Sequence, residues 1–108
     1  MVEYNAYLDG LFGSLADRNR RDILRRLIDA QHTMSQLAQN YDMSFAAVAK
    51  HLKVLEKAKL VTKTRRGNEQ IINIAPTALY DATRYLEQYE VLWSKRFDTI
   101  DTLIKGEI

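Results

Sequence analysis

The sequence predicts a mainly α-helical domain with one small β-hairpin. The 108 residues include only four glycines and one proline, too few turn-forming residues for an all-β domain. Apolar residues recur every three to four positions over most of the chain, which is typical of helices that bury one face. Between residues 61 and 74 the period changes to two, as in a pair of short strands.

Composition excludes several classes of protein. Hydrophobic residues make up 46% of the chain and the net charge is only +2, which argues against disorder. The absence of cysteine excludes a disulfide scaffold, a thiolate zinc site and a cysteine nucleophile. No apolar run approaches the roughly 18–20 residues that span a bilayer. The N-terminus has no basic segment before an apolar core, so we expect a cytoplasmic protein without membrane contact.

Two helices are predicted before residue 30. Apolar spacings of three and four indicate a helix over about 3–15. Asp17 is a suitable N-cap for a second helix from Arg18 to about Asp29. Its buried stripe is expected to be Ile23, Leu24, Leu27 and Ile28. The arginines at 18, 20 and 21 fit phosphate binding and pairing with nearby acids equally well.

A helix-turn-helix is predicted over about 33–58. Thr33 and Gln36 form a capping-box pattern that opens a helix ending near residue 40. Ser44 caps a second helix, over about 44–58, after a turn of three to four residues. On that helix Phe45 fits either contact with DNA or the hydrophobic core, and we favour the core.

A wing is predicted over about 61–74. Residues 61–65 and 70–74 are β-branched or alternating, and residues 66–69 are turn-like. A charged hairpin placed directly after a helix-turn-helix corresponds to a wing.

A long helix is predicted over about 77–104, with Pro76 in its first turn. Its apolar surface exceeds what a small domain covers, so we expect a homodimer rather than a helix folded back on its own core. The interface residues expected on this helix and the first one are Tyr4, Leu8, Leu11, Phe12, Leu86, Tyr89, Trp93, Phe97 and Ile100. The aromatic residues at 80, 85, 89, 93 and 97 also fit a ligand pocket at the dimer seam, although packing is the commoner explanation.

The positive charge is concentrated in residues 44–70, where seven Lys or Arg face two Glu, a local net charge of +5. Such a block favours a surface for a polyanion, and a recognition helix fits the DNA major groove. Lys50 can reach guanine or a phosphate, whereas His51 can reach a phosphate or pack against the hairpin. The residues expected to contact DNA are Thr33, Ser35, Ser44, Ala46, Ala47, Lys50, His51, Lys53, Arg65, Arg66 and Asn68.

The stretch Ser44–Val61 follows the pattern S-x-x-x-V-x-x-H-L-x-x-L-x-x-A-x-L-V and precedes a basic hairpin. With this motif, residues 15–74 resemble the ArsR/SmtB-type winged helix-turn-helix transcription regulators. The Pro76 helix is similar to the terminal dimerisation helix of many members. The resemblance implies a homodimer that binds an operator, usually as a repressor near its own gene.

The resemblance does not extend to the metal sites of the family. Met34-Ser35-Gln36-Leu37 stands where many members have a cysteine pair, and the last helix has no histidine. Metals that those members sense prefer thiolate or imidazole ligands, so we expect no metal, and no cofactor is implied. The chain resembles the cysteine-free branch, for which a small-molecule effector remains open and unidentified.

The sequence contains no phosphate-binding loop, nucleophile elbow or H-E-x-x-H motif, so we expect no enzyme activity and no catalytic residues. The alternative to a DNA-binding regulator is a winged-helix adaptor that binds proteins and does not use DNA. The basic block argues against the adaptor.

Overall fold

The computed structural model describes residues 2–105, without the side chains of residues 2, 3, 97, 99, 100 and 105. This part contains five helices and three strands. In chain order they are α1 (Val2–Ser14), α2 (Arg18–Asp29), β1 (His32–Thr33), α3 (Met34–Ala38), α4 (Phe45–Lys57), β2 (Val61–Arg66), β3 (Glu69–Ile74) and α5 (Pro76–Lys105). The mainly helical fold class with a small sheet is confirmed.

The sheet has one strand more than the predicted hairpin. Strands β2 and β3 are antiparallel, and β1 pairs with the other edge of β3, giving the order β1-β3-β2. His32 of β1 lies opposite Ile72 of β3. A two-residue strand is too short to show a period of two, so only the pairing reveals it. At the hairpin turn Gly67 has a φ of 63°, a left-handed value that glycine adopts without strain.

Three predicted helix caps are confirmed. The Asp17 side chain accepts from the backbone of residues 19 and 20, and Ser44 accepts from Ala47 N. Thr33 and Gln36 form a complete capping box. The connection between α3 and α4 is longer than predicted, because α3 ends at Ala38 and α4 begins at Phe45. Hydrogen-bonded turns continue beyond α3 as far as Tyr41.

The end of α4 is also capped. Lys59 adopts a left-handed φ of 64°, and Leu60 N donates to Leu55 O. This is the geometry in which a helix usually ends on glycine. It turns the chain directly into β2.

The core lies where the helices meet the sheet. Its fully buried side chains come from both the helices and the sheet and include Leu11, Ile23, Leu37, Leu52, Leu55 and Ile72. Leu8 is also 95% buried, with an exposed fraction of 5%. The prediction that Leu8 and Leu11 form a dimer interface is therefore wrong, since both are buried within their own chain. Helical spacing shows that a face is buried but not which chain covers it.

Two further burial predictions are wrong. Ile28, assigned to the buried stripe of α2, is 60% exposed, and Phe45, assigned to the core, is 55% exposed. Both lie at a helix end, where the chain leaves the core on one side. The apolar stripe of a helix continues in sequence there, but no neighbouring element covers it.

Helix α5 begins on the domain and then leaves it. Ala78 and Ala82 are buried, and the Tyr7 hydroxyl of α1 donates to Asp81 Oδ2 at 2.7 Å. Burial and the Asp81 carboxylate raise the pKa of Tyr7 to about 12. Beyond Tyr85, which is half-buried, the large apolar side chains of α5 are exposed, as far as they are described. None of the helices in the described range is long and apolar enough to cross a membrane.

Candidate nucleic-acid interface

The recognition helix α4 presents one stripe to solvent. Ala46, Lys50 and Lys53 are exposed and follow one another at spacings of four and three. In a helix of 3.6 residues per turn, those spacings place the three side chains on one face. Val48, Leu52 and Leu55 are fully buried on the opposite face. The helix is therefore held by its apolar side and leaves its basic side open.

The first turn of α4 borders a groove shared with α3 and the wing. Thr33 and Ser35 line one wall, Phe45 stands at the start of α4, and Asn68 and Gln70 line the wing side. The groove has a volume of about 200 Å³. Three predicted DNA-binding residues, Thr33, Ser35 and Asn68, thus lie together here. The Thr33 hydroxyl is already engaged, because it accepts from Gln36 N in the capping box.

His51 lies on the other flank of α4, beside Arg20 of α2. It is half-buried, and its Nδ1 lies 3.5 Å from Nη1 of Arg20. Arg20 also donates from Nε to Ser14 O at 2.6 Å, and Arg21 donates to Leu15 O at 2.7 Å. Arg20 and Arg21 therefore cap the C-terminal end of α1, where cations are favourable. No sequence pattern indicates this role, because the bonds join side chains to backbone carbonyls.

A hydrogen-bonded cluster on α2 holds the turn between α3 and α4. Asp22 accepts from the Tyr41 hydroxyl at 2.6 Å, from Arg25 at 2.7 Å and from Arg26 at 3.0 Å. Arg26 also donates to Asn40 Oδ1 at 3.2 Å. The Tyr41 hydroxyl and the two arginines hold the pKa of Asp22 well below its usual range. Burial and the neighbouring carboxylate raise the pKa of Tyr41 to about 12.

The wing carries its cations near its tip. Arg65 and Arg66 are exposed and lie opposite Gln70 and Glu69 in the hairpin. Lys63 is different, since its ammonium group lies 3.4 Å from Glu56 of α4. This ion pair ties the base of the wing to the recognition helix. Lys63, one of the cations of the basic block, therefore contributes to the fold through an ion pair.

The residues predicted at the dimer interface divide into two groups. Besides buried Leu8 and Leu11, Phe12 is half-buried, and its ring centroid lies 5.7 Å from that of Tyr85. Tyr4, Leu86, Tyr89 and Trp93 are between 44% and 53% exposed. The side chains of Phe97 and Ile100 lie outside the described residues.

The aromatic residues of α5 do not form one cluster in the described part of the chain. Tyr85 and Tyr89 pack edge to face, with hydroxyls 2.9 Å apart, whereas Tyr80 lies under Arg84 and Trp93 under Arg96. No group of three His, Asp or Glu side chains within the described positions is arranged to hold a metal ion.

Comparison with known proteins identifies relatives of this chain. Residues 15–64 match a family described as a helix-turn-helix domain. The HTH-type transcriptional regulator Rv2034 of Mycobacterium tuberculosis is 31% identical over 99 residues, which are 92% of this chain and 90% of that protein.

Solved structures extend the comparison. The crystal structure of the ArsR family transcriptional regulator RHA00566 superposes with a TM-score of 0.79 at 30% identity, covering 84% of this chain and 94% of that one. A homodimeric winged helix-turn-helix DNA-binding domain from Mycobacterium bovis, Mb0332, has the same fold, with a TM-score of 0.67 at 20% identity. That match covers 91% of this chain and 88% of the Mycobacterium bovis domain.

Proposed function

Because this chain belongs to the ArsR/SmtB-type winged helix-turn-helix transcriptional regulators, we propose that it binds an inverted-repeat operator as a homodimer and represses transcription there. A dimer seated on its operator excludes other proteins from the same DNA. We expect such a regulator to act in the cytoplasm.

The observation that supports the proposal most strongly is the exposed basic stripe of α4 beside the wing. Lys50 and Lys53 point away from the core, and Arg65 and Arg66 extend from the hairpin. The ion pairs found among the described residues involve Asp22 with Arg25 and Arg26, and Glu56 with Lys63. The four exposed cations lie outside these pairs. Cations in this position attract DNA phosphates, and binding releases the counterions that had condensed on the DNA.

Side-chain chemistry indicates which part of the DNA each residue of this face would contact. A helix of this size fits the major groove, where Lys50 can reach guanine or a phosphate. The wing arginines suit the DNA backbone or a narrow minor groove. Ala46 and Ala47 offer no hydrogen bonds, so part of the specificity is expected from DNA shape.

The homodimer is supported by the exposed half of α5. Leu86, Tyr89, Leu92 and Trp93 are all at least 44% exposed, and their helical spacing places them on one side of α5. An exposed apolar stripe of this kind on a small domain is typical of a protein interface. A twofold dimer presents two recognition helices, so its operator should hold two half-sites about one helical turn apart.

The test is a fluorescence anisotropy titration on DNA from upstream of the protein's own gene, with a scrambled duplex alongside, at two salt concentrations. We expect tighter binding to the native duplex and weaker binding to both at higher salt. A Lys50→Ala/Arg66→Ala double variant should lose affinity and remain dimeric. Arg84→Ala, which removes an exposed arginine of α5, is the matched control and should bind normally.

Weak and equal binding to both duplexes, unchanged in the double variant, would contradict the proposal and favour the protein-binding adaptor. The operator could also lie outside the upstream fragment, in which case the wild-type protein would not prefer that fragment but would lose affinity for both duplexes in the double variant. Selection from a random duplex library would then recover the operator. A protein that enriches no sequence from such a library is not a sequence-specific regulator.

A further inference from the structure

Phe45 is an exposed aromatic side chain beside a mostly polar groove. It is the first residue of α4 and is 55% exposed. The rest of the groove is lined by Thr33, Met34 and Ser35 and, on the wing side, by Asn68, Glu69 and Gln70. Phenylalanine has no advantage at the start of a helix, where capping and acidic residues are favoured.

The expected dimer contacts do not account for this exposure. Helix α1 meets α4 near its other end, where Val54, Lys57 and Ala58 line a groove facing α1. Nine residues separate Phe45 from Val54, which is about 13 Å along the helix axis. The start of α5 packs at that far end too, since Thr77 and Asp81 border Lys59. A partner chain docked on α1 and α5 therefore leaves the Phe45 end of the recognition helix open.

The proposed DNA face lacks side chains that could read many bases by hydrogen bonding. Ala46 and Ala47 follow Phe45 directly, and Lys50 is one turn further on. Apolar side chains recognise one feature of the major groove, the 5-methyl group of thymine, and phenylalanine is among the residues that contact it. Residues at the start of a recognition helix are the ones that commonly reach base edges.

We propose that Phe45 is a specificity-determining residue that contacts the 5-methyl group of one thymine in each operator half-site. The proposal rests on the DNA-binding function proposed above and adds to it the identity of a reader and its base. Ser35 and Asn68, on either side of the groove, hold the adjacent backbone, while the Phe45 ring excludes water from the methyl group.

The experiment uses a duplex selected by the full-length protein from a random library. Each thymine is replaced in turn by deoxyuridine, which lacks only the methyl group, symmetrically in both half-sites. We expect one position where the replacement weakens wild-type binding about tenfold. Each buried methyl group contributes about three- to fourfold to the affinity, and the replacement removes one methyl group from each of the two half-sites. Phe45→Ala should weaken binding to the unmodified duplex at least as much. It should then bind the thymine and deoxyuridine duplexes equally.

Two further variants separate this contact from general effects. Phe45→Leu keeps an apolar side chain and should retain part of the thymine preference. Tyr80→Ala removes an aromatic residue of α5 that is 60% exposed, and it should behave as wild type. Because Phe45 is exposed, its replacement should leave the melting temperature unchanged. An unchanged melting temperature would exclude misfolding as the cause of weaker DNA binding.

The proposal is overturned if no deoxyuridine replacement weakens wild-type binding, or if the effects of Phe45→Ala and deoxyuridine add independently. In either case the selected duplex still binds tightly, so the DNA-binding function stands. A failure to select any duplex would instead overturn the function and this inference together.

Discussion

The Tyr41 hydroxyl donates a 2.6 Å hydrogen bond to Asp22 Oδ2, and this bond joins the turn before the recognition helix to α2. Arg26 stabilises this contact, because it donates a hydrogen bond to Asp22 and its guanidinium lies 5.5 Å from the centre of the Tyr41 ring. These side-chain contacts hold the turn against α2, in addition to the backbone hydrogen bonds within the turn.

We expect Asp22→Asn to lower the free energy of unfolding by about 1–2 kcal/mol at pH 7, since an amide accepts more weakly from the two arginines and from Tyr41. Urea unfolding measures the change. Asp29→Asn removes an exposed acid from the same helix and should alter stability by less than about 0.5 kcal/mol. Equal effects of the two substitutions would show that Asp22 contributes only surface charge.

The Asp22 cluster also predicts a pH dependence. The hydrogen bonds of Tyr41, Arg25 and Arg26 hold the pKa of Asp22 below its usual value near 4. A carboxyl whose pKa is lower in the folded state stabilises that state above its unfolded pKa and loses the effect as pH falls. The stability gap between wild type and Asp22→Asn should therefore be constant from pH 5 to 7 and narrow below about pH 4. A gap that stays constant down to pH 2 would contradict the assignment.

We expect Arg20→Met to destabilise the protein by about 1 kcal/mol, because it removes the donor to Ser14 O at the end of α1. Thermal unfolding gives the difference. Arg18→Met is the control, since Arg18 is an exposed arginine two positions away on the same helix. If both variants lose stability equally, the loss comes from charge and not from the cap.

We expect Arg66→Ala to reduce the slope of log Kd against log salt concentration by about 2, which is one phosphate contact of about 0.9 in each protomer of a dimer. The ratio between operator and scrambled duplex should change little, because phosphates carry no sequence information. A large loss of that ratio with an unchanged slope would instead place Arg66 against bases.

We expect Leu86→Glu to convert the proposed homodimer into monomers at micromolar concentration, because the substitution would bury a charge in an apolar interface. Analytical ultracentrifugation measures the assembly state. Ile28→Glu alters another exposed aliphatic residue, on α2, and should leave the dimer intact. Dimers that persist in Leu86→Glu would show that the interface lies elsewhere.

Sequence reasoning succeeded where local rules decide the structure. The caps at Asp17, Thr33 and Ser44 were predictable because each side chain bonds to a backbone amide two or three residues away. The alternation of residues 61–65 likewise indicated a strand. The prediction that Phe45 lies in the core was wrong, because helical periodicity does not indicate where along a helix the core ends.

The sequence alone determined the order of the helices and of the hairpin, three helix caps, the basic block and the family, since each depends on residue types at short, fixed spacings. The tertiary structure decided which faces are covered. It buried Leu8 and Leu11 within their own chain, exposed Phe45 beside the wing, and engaged Lys63 and Arg20 in contacts of the fold. These outcomes depend on elements far apart in the chain meeting in space, and spacing along one helix contains no information about what lies opposite it.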